Sequence, residues 1–228
     1  MLTVRRAGLD APAHTTLSRR GQRLDVATNA VPAKGLVHLI VDRTGLSLVG
    51  AGEGAAAKHG ARGTRGWRKL HLGVDRSGVI VAQALTEATV DDATVGIELI
   101  GMAGDIASVT GDAAYDTGAF DEAASARHAR VVVPPIRTAK VSRRRPRSRA
   151  RDRAITTVEM LGRRQWTQTS GSHQQARVEH AFFRYTSSIG EGLRARSRGG
   201  RDVEASLACT VLNRMTERGT PESSAISR

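Results

Sequence analysis

"LVHLIVDRTGLSL" runs from Leu36 to Leu48. Its first seven residues are almost continuously apolar and of strand length, the pattern of a central strand buried on both faces. That run ends on Asp42. The stretch "SVTGDAAYDTGAF", Ser108–Phe120, repeats the arrangement: a β-rich run closes at Gly111 and Asp112 follows at once. An aspartate behind a strand is ordinarily a turn-former or a helix N-cap. Two such places in one chain raise another reading, that of two carboxylates brought together.

The residues around these two runs supply the architecture. "WRKLHLGVD" (67–75) and "VIVAQALT" (79–86) alternate about an "RSG" turn and read as a hairpin. In "DDATVGIELIGMAG" (91–104), Val95, Leu99 and Met102 share a helical face. "DIASVTGD" (105–112) is the fourth strand and "TGAFDEAASARHA" (117–129) a further helix. "RVVVPP" (130–135) is a short fifth strand stopped by two prolines. Residues 173–188 and 202–217 are helical candidates, and the glycine-rich segment 50–66 reads as a loop. Near the start, "HTTLSRRGQRLDV" reads as a helix capped by Thr15 or Thr16, with Leu17 and Leu24 on its apolar side. A hairpin extending the first strand, followed by βα crossovers, predicts an α/β fold with a mixed five-stranded sheet flanked by helices. Its first and fourth strands can lie side by side, which would set Asp42 beside Asp112.

The 228 residues suffice for one substantial domain, and the formal net charge of +13 suits a polyanionic partner. Nine Lys or Arg against one Asp between Arg137 and Arg153 supply +8 of it, in a tract that reads as solvated. Aromatic residues make up only 3% of the chain, so contact with backbone phosphates is favoured over stacking on bases. Cys209 is the only cysteine, which excludes an internal disulfide and a multi-cysteine zinc site; its apolar surroundings predict a buried thiol. The histidines show no zinc-finger or HExxH spacing. With no long apolar stretch and no signal-like segment, the expected location is cytoplasmic.

Two close carboxylates repel, so one protonates unless a cation lies between them. Hard divalent ions such as Mg²⁺ take oxygen ligands and suit phosphate chemistry. A pair of such ions normally wants a third carboxylate, for which Glu179 in "SHQQARVEHAFFRYTSSIGEGLRARSR" is the best candidate. Asp75 and Asp116 read as structural, the first opening the hairpin turn and the second capping a helix. Trp67 reads as core; His59 and His71 read either as polar loop and strand-surface residues or as DNA contacts.

Five blocks carry a resemblance: "IVDRTGL", "KHG…WRKLHLGVD", "GDAAYDTGAF", "VVVPPIRTAK" and "ARVEHAFFRYTSSIGEGLRARS". In order and spacing they resemble the catalytic domain of bacterial insertion-sequence transposases of the DDE type, in the group of insertion sequence 5, from about Thr15 to Glu222. The resemblance implies an RNase H-like fold and a catalytic, metal-holding triad of Asp42, Asp112 and Glu179. It further implies Mg²⁺ or Mn²⁺, hydrolysis at the ends of an element, and attack of the freed 3′-hydroxyl on target DNA. Double-stranded DNA is then the partner, with a homodimer bringing two ends together.

The departures from that family are specific. It usually has a polar residue such as Ser after the first Asp, where this chain has Arg43. It places Tyr seven residues before the Glu, Arg four before and Lys seven after; here those positions hold Ser172, Gln175 and Thr186. On one continuous helix all three would share a face with Glu179. Residues 1–34 read as the remnant of a longer N-terminal DNA-binding region, 35–218 as the catalytic domain with a basic insertion at about 137–153, and 219–228 as a loose tail. Arg19, Arg20, Arg143, Arg144, Arg145, Arg194 and Arg196 are the candidate DNA-binding residues. Three functions stay open: a transposase, active, weakened or inactive; a stand-alone RNase H-like nuclease; and a non-catalytic DNA-binding remnant that occupies element ends.

Overall fold

The computed structural model describes residues 13–24, 26, 35–49, 66–142 and 149–219. Arg143, Arg144, Arg145 and His59 lie outside the described residues, as does nearly all of the 50–66 segment. One mixed sheet organises the rest. Strand β1 (Val37–Leu48) lies at its centre, antiparallel to β2 (Trp67–Val74), which pairs with β3 (Ile80–Glu87). On its other side β1 runs parallel to β4 (Ile106–Thr110), and β4 to β5 (Arg130–Val132). The order β3-β2-β1-β4-β5 places the first and fourth strands side by side, as the sequence predicted. A sixth strand, β6 (Gly192–Leu193), adds to the far end of β1, so the sheet has six strands and not five.

Strand β1 does not stop at Asp42. Its ladder with β4 ends at Ile40–Thr110, while its ladder with β2 continues through Asp42–Leu72 to Ser47–Trp67. Asp42 therefore sits where two neighbouring strands part. The same divergence frees the chain after β4 to turn at Asp112.

Helices cover both faces. The first helix in the chain is α1 (His14–Gly21); on one face of the sheet α2 (Asp92–Met102) and α3 (Gly118–Ala126) bury Leu99, Phe120 and Ala124 against Leu39, Val41 and Val109. Beyond β5 come α4 (Arg149–Leu161) and α5 (Arg163–Ser170), and a 3-10 turn at Ser172–Gln175 leads into α6 (Ala176–Ser188). With α7 (Arg198–Glu217), α6 packs Val178, Phe182, Tyr185, Cys209 and Leu212 onto Ile40, Leu70 and Leu72. The side chains of Ile40 and Leu39 point to opposite faces, so the two cores are the two sides of one pleat.

Several local expectations are corrected. Thr15 and Thr16 lie inside α1, and Leu17 and Leu24 are both exposed because no core faces that short helix. Met102 is exposed at the end of α2, although Val95 and Leu99 are buried. Trp67 is half exposed; it lies over Gly45 at the outer end of the hairpin, where a Cβ on Gly45 would be 3.4 Å from the indole. Part of the basic tract is helical, since α4 starts at Arg149 and buries Ile155. Cys209 is fully buried, and burial pushes its thiol up to about 12. Among the described residues no helix is long and apolar enough to cross a membrane.

Candidate active site

Asp42 leaves β1 on the side occupied by α6 and is half-buried; Asp112 and Glu179 are exposed. Burial raises the Asp42 carboxyl above its ordinary range, and the negative charges of Asp112 and then Glu179 raise it further. The backbone N–H of Arg43, donating to Asp42 Oδ1 at 2.7 Å, and a hydrogen bond from Gln175 act in the opposite sense. Carboxylates from two other elements thus act on Asp42 at the end of the β1–β4 ladder. Among the described residues no three His, Cys, Asp or Glu side chains are drawn tightly enough to form a metal cage as they stand. The donor set nevertheless fits a hard divalent cation: the oxygens are anionic, and the mutual repulsion at Asp42 is what a cation would relieve.

Each carboxylate is positioned by its own element. Asp112 opens a 3-10 turn, Ala113–Tyr115, and its Oδ1 accepts from Ala114 N at 2.9 Å. The cap holds one oxygen and leaves the other outward. Glu179 rides on α6, whose Val178, Ala181, Phe182 and Tyr185 are buried in the sheet and fix the helix's rotation. Tyr115 is wedged behind both aspartates. Its hydroxyl is buried without a hydrogen-bond partner, and burial together with Asp42 and Asp112 holds the phenol neutral, far above its usual ionisation range.

Ser172 and Gln175 do not share a continuous helix with Glu179; both belong to the 3-10 turn before α6. Gln175 still reaches the site, donating from Nε2 to Val41 O at 3.0 Å beside Asp42. Thr186 follows Glu179 along α6 and spends its hydroxyl on the carbonyls of Phe182 and Phe183. Arg43 turns away from Asp42 and bonds Asp92 through Nε at 3.1 Å, while Lys69 Nζ takes the other Asp92 oxygen at 2.8 Å. These two cations overcome the upward pull of burial and hold Asp92 below the usual carboxylate range.

His71 lies beside this cluster and is fully buried, neither a surface residue nor available to DNA. Its Nε2 is 2.9 Å from Thr86 Oγ1. Burial lowers it to about 4, against the attraction of Asp92 and with the help of Lys69 and Arg43. The unfolded chain therefore binds more protons than the folded one between pH ~6.5 and ~4. Stability rises with pH across that window, by up to about 3 kcal/mol from this residue. The melting temperature of the native protein is expected to fall more steeply on acidification from pH ~6.5 to ~4 than that of His71→Gln. Parallel curves for the two proteins would show that His71 is not the titrating group.

Asp75 is the turn-former expected, accepting from Ser77 N, Ser77 Oγ and Val79 N at 2.8, 2.6 and 3.0 Å. Asp116 does not cap a helix: Thr117 caps α3, and Asp116 takes Arg151 Nε at 2.7 Å and Ile136 N at 2.8 Å. It thereby ties α4 to the turn that carries Asp112, a link with no signal in the sequence. Arg19 and Arg20 are exposed in the last turn of α1. Arg194 and Arg196 are exposed after β6, where Glu204 accepts from the Arg194 and Ala195 backbones at 2.8–3.0 Å.

Residues 33–214 match the family model described as the transposase DDE domain. No solved structure matches the chain.

Proposed function

The chain belongs to the transposase DDE domain family, and from that premise we propose that it is an insertion-sequence transposase of the insertion sequence 5 group. Asp42, Asp112 and Glu179 are its catalytic carboxylates and would hold Mg²⁺ or Mn²⁺. The observation that supports this reading is that Asp112 and Glu179, from two other elements, both raise the Asp42 carboxyl. Bound there, divalent ions would stabilise the charge that develops on phosphoryl oxygens during hydrolysis and strand transfer. The protein's own task is to present a DNA strand end-on to the carboxylates, with Gln175 orienting Asp42 and the Val41 carbonyl. Arg19, Arg20, Arg143, Arg144, Arg145, Arg194 and Arg196 would contact phosphates of the duplex. Two copies on DNA would bring two ends together.

The test supplies a labelled duplex carrying the element's terminal repeat, and separately a pre-cut end with a free 3′-hydroxyl, each with Mg²⁺ and target DNA. Joined product supports the transposase. Cleavage with no joining from the pre-cut end would replace it with a stand-alone nuclease, and binding with no chemistry with a non-catalytic occupant of element ends.

The neutral residues at 175 and 186 predict a weak enzyme, because neither position offers a cation to grip the backbone beside the reacting phosphate. The double change Gln175→Arg with Thr186→Lys adds two charge-assisted contacts there. It is expected to raise cleavage by about tenfold or more, and equilibrium binding by less, since small gains in positioning weigh heavily in rate. Equal cleavage by the two proteins would show that the neutral residues are not limiting.

A further inference from the structure

Three cavities adjoin one another, from the β5 edge of the sheet round to its α6 side. The first, about 460 Å³, lies beyond the β5 edge and is lined by Arg130, Arg153 and His128. The second, about 230 Å³, is lined by His38, Arg76, Arg130 and His173 over Ile40 and Thr110. The third, about 680 Å³, runs along α6 under Arg177, His180 and Arg184 to the end of α7. The first two share Arg130 and Ser170; the last two share His173 and Gln174. Their shared lining residues set the three end to end, as a trough. Among the described residues no Asp or Glu lines any of the three.

Like most described arginines, those along it are in no ion pair; what sets them apart is that they line a groove with no carboxylate among its described lining residues. Arg43, Arg68 and Arg151 are each in an ion pair with a carboxylate. Among the described residues Arg76, Arg153 and Arg177 are in none, and all three are exposed. Arg130 and Arg184 spend donors only on neutral groups: Ser170 O for the first, Gly78 O and Thr216 Oγ1 for the second. Unneutralised cations that repel one another along a groove cost stability, and a bound polyanion removes that cost. A small anion would need one closed site. A trough through three cavities, cationic at each step, matches a chain of phosphates.

We propose that this trough is a second DNA track, holding backbone phosphates of a segment other than the one presented to Asp42, with Arg153, Arg130, Arg76 and Arg177 as successive contacts. The identity of the polyanion rests on the reading of the chain as a transposase; the track itself does not. Ile40 and Asp42 share a face of β1, so the middle cavity lies on the carboxylates' side of the sheet, and the His173–Gln175 turn separates the two. DNA running along the trough would pass behind that turn. It would be gripped by cations that positions 175 and 186 do not offer.

The experiment measures duplex DNA affinity against salt by fluorescence anisotropy, in EDTA so that no chemistry occurs. Arg76→Gln/Arg153→Gln/Arg177→Gln is compared with Arg164→Gln/Arg214→Gln/Arg218→Gln, which removes the same charge from exposed positions outside the three cavities. The track variant is expected to flatten the slope of log affinity on log salt by roughly 0.9 for each phosphate released, about 2.7 in all, and the control by less than about 0.9. Should the triple variant melt early, Arg76→Gln alone is expected to remove roughly 0.9. Equal slopes for track and control variants would overturn the proposal. Failure of the cleavage assay would leave it standing, since the salt dependence of binding is read without turnover.

Discussion

Replacing Asp112 with alanine is expected to lower metal-dependent cleavage of a DNA end by on the order of 10³-fold, with metal-free DNA affinity nearly unchanged. Alanine also removes the cap on Ala114 N, which costs about 1 kcal/mol and a melting shift of roughly 2–4 °C. Asp112→Asn separates the two effects. Its amide oxygen still caps the turn, so the melting temperature should hold while cleavage falls as far as in the alanine variant. Removing the negative charge in either variant should also let the Asp42 carboxyl drop toward its ordinary range, because Asp112 is one of the groups raising it. Carboxyl titration by NMR reads that shift without turnover. Full cleavage by Asp112→Asn would remove Asp112 from the chemistry altogether.

The pairing of Asp112 with Asp42 is legible in the sequence in part, and for physical reasons. A run such as Val37–Val41, apolar on both faces, has few alternatives to a central strand. The hairpin at 67–86 shows its period and its turn. The continuation of β1 beyond Asp42 is less visible, although Leu46 and Leu48 do alternate with polar residues. A glycine and an arginine in that stretch suit a turn as well as a strand. Helices α4 and α5 are hidden by composition: one buried side chain in each, Ile155 and Trp166, leaves almost no apolar period among the charges. β6 has only two residues and exists because β1 offers it an edge. The candidate site divides in the same way. Asp42 and Asp112 are legible because each ends an apolar run. The trough is not, since Arg76, Arg130 and Arg177 come from a turn, a strand and a helix that only folding brings together.

The small residue before Asp112 has its own consequence. A Cβ on Gly111 would lie 2.8 Å from Tyr115 Cδ2 and 3.2 Å from Val41 Cγ2. Tyr115 has no room to withdraw, because on its other edge a Cβ on Gly96 would lie 2.8 Å from Tyr115 Cδ1 and 2.7 Å from Phe120 Cε2. The ring is slotted between two glycines and against Phe120, with centroids 5.3 Å apart. Its backbone is the last residue of the turn that Asp112 opens. Gly111→Ala must therefore move the ring, the turn or β1, and overpacking of this kind costs about 1–3 kcal/mol. For a chain of this size that is a melting shift of roughly 2–12 °C. Any part of the strain taken up by the turn displaces Asp112, and a displacement of about 1 Å can cost ~10²-fold in rate. In a Tyr115→Leu background the same glycine substitution meets a smaller, flexible neighbour, so its cost should shrink; contacting residues are where additivity fails. If Gly111→Ala costs the same in both backgrounds, the ring is not what requires a glycine before Asp112.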